Sequence, residues 1–114
     1  MIEKGYYYHH KHDPEKGVFD AAYEVVGCGF DTEAGGNVHT DDPRVFLDTE
    51  VVVYRPLFEE ALVYKAEKRF WVRPAKMWCE SVEWNGMKTT RFVRVTDLEM
   101  IARLDEKKRD MYGE

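Results

Sequence analysis

Apolar residues come in short runs of strand length, broken by turn residues, and the runs are densest between Thr49 and Val95. Gly5 to His12 carries three tyrosines and predicts a first strand, placed near an edge by the polar residues that follow. Asp13-Pro14-Glu15-Lys16-Gly17 ends it with ordinary turn chemistry. Ala22 to Phe30 predicts a second strand, with Gly27 and Gly29 marking a bulge or bend. Thr49 to Arg55 is apolar on both sides of its alternation, the mark of a central or covered strand. Arg69 to Arg73 predicts another, and Pro74 to Trp78 a single helical turn, proline having φ pre-set for a first helical position.

Glu80 to Trp84 and Met87 to Val95 flank Asn85-Gly86, the pair best able to supply the two positive φ angles of a type I′ hairpin turn. Trp78, Val82 and Trp84 share one strand parity, which predicts that they face the core. Leu57 to Tyr64 fits a helical turn or a loop equally well. Thr96-Asp97-Leu98-Glu99 reads as a capping box opening a helix near Thr96 or Asp97, with Leu98, Ile101, Ala102 and Leu104 as its apolar stripe. Lys107, Lys108 and Arg109 suit its C-terminal end. Asp31 to Asp48, rich in glycine and acid, is expected to be a mobile loop, with Val45-Phe46-Leu47 pinning its far end.

The pattern predicts a mainly β protein: a small, strongly bent antiparallel sheet, or a small barrel or roll, with a C-terminal α-helix. Its 114 residues fit one domain, with 5–95 as the β part and 96–112 as the helix. A chain of this length buries roughly 65% of its unfolded surface, enough for one core without staples. The 14% aromatic content strengthens the strand reading, since flat rings pack well on a pleated face. A formal charge of −5 argues against indiscriminate binding to nucleic acid or anionic membrane. No apolar run is long enough to span a bilayer, and Cys28 and Cys79 lie far apart, so a cytoplasmic protein with two reduced thiols is expected.

Tyr7-Tyr8-His9-His10-Lys11, Tyr23-Glu24-Val25-Val26-Gly27, Val52-Val53-Tyr54-Arg55-Pro56-Leu57-Phe58, Phe70-Trp71-Val72-Arg73-Pro74, Met77-Trp78, and Gly86 with Arg91-Phe92 occur in that order. In this the chain resembles, over roughly residues 5–95, a bacterial family known as domain of unknown function 1653. The resemblance implies an SH3-like small barrel or β-roll and no particular activity. The chain departs from the family in extra residues around Asp13–Ala22 and Glu33–Asp48. A family histidine after the second strand has no counterpart, Gly29-Phe30-Asp31-Thr32-Glu33 standing there instead.

Two constellations carry chemistry. His9, His10 and His12 with Asp13, together with His39, Asp41 and Asp42, have the donor types of a zinc or iron site. On a strand, however, only His10 and His12 share a face, and no metal-binding spacing accompanies them. The second is Arg55 and Arg73 in matching phrases, with Tyr54, Trp71, Lys11 and His9. Paired guanidinium groups suit a carboxylate or phosphate, and the rings beside them could stack a base, a sugar or an apolar side chain. The structural alternative is that both arginines pair with Glu24, Glu80 or Glu83 across the sheet.

Nucleophilic catalysis finds little support, because Cys79 alternates with Ser81 and Glu83 in an electronegative setting and Gly27-Cys28-Gly29 makes no phosphate loop. The sequence therefore predicts a binding or adaptor module for a peptide, nucleotide or other anionic ligand, with no cofactor. A metal-dependent enzyme built on the histidines, or a structural homodimer pairing edge strands, are the other readings.

Overall fold

Three consecutive tyrosines occupy the interior of a five-stranded sheet, because β1 (Gly5–His9) is paired on both sides. The computed structural model describes residues 2–31 and 50–114. The expected mobile loop, its Val45-Phe46-Leu47 anchor, and His39 with Asp41 and Asp42 lie outside the described residues. The other strands of the sheet are β2 (Ala22–Phe30), β3 (Glu50–Pro56), β4 (Trp71–Pro74) and β7 (Phe92–Arg94). Their order is β4-β3-β2-β1-β7, antiparallel throughout.

The sheet is open rather than a closed barrel, with β4 and β7 at its ends. β1 does lie near an edge, next to the end strand β7, though it is itself paired on both sides. The polar residues after it belong to a turn, with a short 3-10 helix at Pro14–Lys16, and do not report on the strand's neighbours. The bulge in β2 falls between Val25 and Gly27, where its pairing with β3 shifts register.

The hairpin forms as β5 (Ser81–Trp84) and β6 (Met87–Thr90), a separate two-stranded ribbon. Asn85 and Gly86 take φ 53° and 77°, the positive pair that a type I′ turn demands. The segment expected to continue to Val95 breaks at Arg91, whose N–H donates to the Glu80 carbonyl while its own carbonyl accepts from His10. Phe92 to Arg94 then crosses to β1.

The helical turn before the ribbon corrects the parity argument for the tryptophans. Trp78 lies on α2 (Ala75–Trp78) and is 2% exposed, whereas Trp84 on the ribbon is 40% exposed and packs edge-on to His10. Parity does not carry from a helical turn into a strand. The ambiguous stretch before β4 contains a single turn, α1 (Leu62–Lys65).

Helix α3 (Leu98–Tyr112) begins one residue later than a Thr96 cap would place it. Asp97 is the N-cap, its carboxylate accepting from the Met100 N–H at 3.0 Å. The apolar stripe shifts with it: Leu98 and Ala102 are exposed, while Met100, Ile101, Leu104, Met111 and Tyr112 are turned inward to varying degrees.

Strand alternation divides the core into two clusters, one on each face. On one face Tyr6, Tyr8, Ala22 and Leu57 pack with Leu104 of α3. On the other, Tyr7, Val25, Val52, Tyr54 and Phe92 pack with Trp78, whose ring stacks on Phe92 at 3.7 Å and 4°. β3 gives Val52 and Tyr54 to this second cluster, while its residues of the other parity, Val51 and Val53, are half-buried and Arg55 and Pro56 are buried.

Candidate ligand site

The register of β3 decides where the two arginines point. Val52 lies opposite Arg73, so Arg73 shares the face of Val52 and Tyr54. Arg55 is three residues beyond Val52 and lies opposite Glu24, on the α3 face. The pair expected side by side is therefore split across the sheet.

Arg55 is 2% exposed and meets carboxylates: its Nε donates to Glu24 at 2.8 Å and an Nη to Glu114 at 2.7 Å. Its guanidinium also stacks over Tyr112 at 4.1 Å. Glu24 is held a second time by Lys108 at 3.2 Å. The structural pairing of Arg55 with Glu24 was among those legible in the sequence. Pairing with Glu80 or Glu83 does not occur, since Glu80 pairs with Arg91 on the ribbon's side. Burial pushes the Tyr112 hydroxyl up to about 12, so it stays protonated and donates to the Pro56 carbonyl at 2.6 Å.

Arg73 sits differently. Its Nε donates to the Tyr54 hydroxyl at 3.4 Å, and its guanidinium lies 5.4 Å from the Phe92 ring centre. Among the described residues it has no carboxylate partner. It lines an open concavity of about 470 Å³, walled by Tyr23, Tyr54, Trp71, Met77 and Phe92.

The walls brace one another. Tyr23 meets Tyr54 at 5.6 Å and Trp71 at 6.3 Å, and Tyr54 meets Trp71 at 5.8 Å. Burial, reinforced by Tyr54, raises the Tyr23 hydroxyl to about 12, so it too remains a neutral donor.

Of the residues expected to form a site, Tyr54, Trp71 and Arg73 do converge. His9 stands next to them through Phe92, which it meets edge-on at 5.3 Å. Desolvation first, then His10, Arg73, Arg91 and Lys11, holds His9 at about 4. Its Nδ1 accepts from the Lys11 N–H, so the neutral ring carries its proton on Nε2. Lys11 does not join them: its ammonium lies 5.5 Å from the Trp84 ring centre, in a hollow with Asn85. Tyr23, Met77 and Phe92 were missed. The signal for Tyr23 and Phe92 was present in part, because both fall inside or beside the family phrases.

The histidine cluster does not converge. His9 and His10 have ring centres 4.3 Å apart, but His12 stacks on Tyr8 at 3.7 Å and its Nδ1 bonds the Asp20 carbonyl. Among the described residues no three His, Cys, Asp or Glu side chains are gathered as metal ligands. Cys28 and Cys79 are exposed free thiols, and burial with Glu50 nearby raises the Cys28 thiol, which works against a nucleophilic thiolate. Among the described residues no helix is long and apolar enough to cross a membrane.

Fold and site thus define a mainly β protein with an open antiparallel sheet, an aromatic groove on one face and a C-terminal helix on the other. Residues 47–94 match the model of a family described as protein of unknown function DUF1653, which bears out the resemblance over the stretch that holds both arginine phrases. No curated protein and no solved structure matches the chain.

Proposed function

We propose that the protein is a binding module whose ligand presents a planar ring and an anionic group, a nucleotide being the chemistry that fits best. The carrying observation is Arg73: a guanidinium without a carboxylate partner among the described residues, lining a groove together with aromatic rings. The concavity of about 470 Å³ lies within the usual range for small-molecule sites of roughly 300–1,000 Å³. In this reading Arg73 takes the phosphate or carboxylate, and Trp71 or Tyr23 offers a face to the ring.

Titration with adenosine monophosphate, followed by tryptophan fluorescence, tests it. The reading expects saturable binding, and Arg73→Met weakens that binding about ten- to a hundredfold, the worth of one charge-assisted hydrogen bond or two. Absence of binding by the wild type to any mononucleotide overturns the nucleotide assignment. Binding that Arg73→Met leaves unchanged overturns the site.

A further inference from the structure

The opposite face carries a second arginine site, and it is already filled. The Glu114 carboxylate gives one oxygen to Arg55 at 2.7 Å and the other to Arg69 at 2.9 Å. The two guanidiniums thus share one carboxylate, each donating to a different oxygen. These side chains line a cleft of about 570 Å³ with Tyr64, Lys65, Lys68 and Tyr112.

Three features separate this contact from a fixed ion pair. First, Arg55 has a permanent partner in Glu24, which its Nε holds inside the protein, so Glu114 is its second and outer partner. Second, the Glu114 side chain is 46% exposed and Arg69 is 70% exposed, so the carboxylate can leave without opening the core. It follows Gly113, whose left-handed φ of 72° ends α3 and frees the next residue from helical geometry. Third, Lys65 and Lys68 line the same cleft and make no ion pair among the described residues. With Glu114 withdrawn, Arg55, Lys65, Lys68 and Arg69 outnumber the remaining acids of the lining, Glu59 and Glu67.

The geometry points to an exchangeable carboxylate site, with Arg55 and Arg69 as its donors and Glu114 as the internal occupant that a carboxylate supplied from outside displaces. The incoming group is either a free dicarboxylate or the acidic side chain of a peptide. Both offer the two oxygens that the arginines hold. A tethered competitor acts at an effective concentration in the millimolar range, so it sets a threshold below which weak carboxylates do not enter. The site is separate from the Arg73 groove and does not rest on the reading of that groove.

The test uses the full chain, its Glu114→Gln form and the double variant Glu114→Gln with Arg69→Gln. Succinate and a short glutamate-containing peptide serve as probes, with the Arg55 Nε–H resonance as reporter. All substituted side chains are exposed, so the fold is retained and thermal unfolding verifies it. The expected result is binding by Glu114→Gln about tenfold or more tighter than by the wild type, a shift of the Arg55 resonance, and loss of both in the double variant. Preference for succinate or for the peptide identifies the source of the carboxylate. Equal affinity in wild type and Glu114→Gln, no binding by either, or binding that survives Arg69→Gln overturns the proposal. Mononucleotide titration of the same variants reports on the groove alone, so failure of one site is distinguishable from failure of the other.

Discussion

Arg55 and Arg73 stand on neighbouring strands of one sheet and face opposite sides of it. Arg55 closes the α3 side against Glu24, while Arg73 lines the aromatic groove beside Tyr54. One odd step in register along β3 is enough to send two similar sequence phrases to two different environments.

The tryptophans carry the first prediction. Trp78 is enclosed between Tyr7, Tyr54 and the stacked Phe92 ring, so Trp78→Ala removes a filled core position. Stability falls by about 3–5 kcal/mol. Trp84→Ala, on the outlying ribbon, costs under about 1 kcal/mol. Urea denaturation of both variants checks this, and equal losses would restore the shared-parity core.

Helix initiation gives a second. Asp97→Ala removes the side-chain acceptor of the Met100 N–H and costs about 1 kcal/mol. Thr96→Ala leaves stability within about 0.5 kcal/mol. The reverse ranking in thermal denaturation would return the cap to Thr96.

A third concerns acid. His9 titrates near 4 in the fold against 6.5 for an ordinary histidine, so between those values the unfolded chain binds more protons. Its contribution to stability is complete above about 6.5 and is lost as pH falls towards 4. His10, also held low by burial, adds to the same slope. Nuclear magnetic resonance titration of the His9 ring shows its midpoint directly. A midpoint at or above 6.5 contradicts the half-buried neutral ring against Phe92.

Much of the fold was legible because its signals are local. Asn85-Gly86 specifies its turn and Gly27 marks the bulge in β2 through the backbone conformations they allow, whereas Pro74, expected at the first helical position, is the N-cap of α2 with an extended ψ of 135°. The errors in strand placement have another cause, which is that pairing partners are not local. Nothing in Gly5–His9 says that Phe92–Arg94 returns to its free side. The break at Arg91 that frees that strand rests on a bond to Glu80 across the hairpin and on one to His10, far away in sequence.

The candidate site was half legible for the same reason. Tyr54, Trp71 and Arg73 meet because β3 and β4 pair in register. Arg55 falls on the far face, and Lys11 is drawn off to Trp84 beyond the end of β1. Tyr23 enters the groove from β2, a strand whose sequence signals its bulge more clearly than its aromatic face.

The most direct test of this division is to compare Arg55→Met and Arg73→Met by urea denaturation under the same conditions. Methionine keeps the apolar stem and removes the charge. Arg55→Met strands Glu24 with only Lys108 for company and costs about 3 kcal/mol. Arg73→Met breaks no ion pair with a described residue and changes stability by less than about 1 kcal/mol. Equal losses at both positions, or the larger loss at Arg73, would show that Arg73 is a structural charge and would contradict the account.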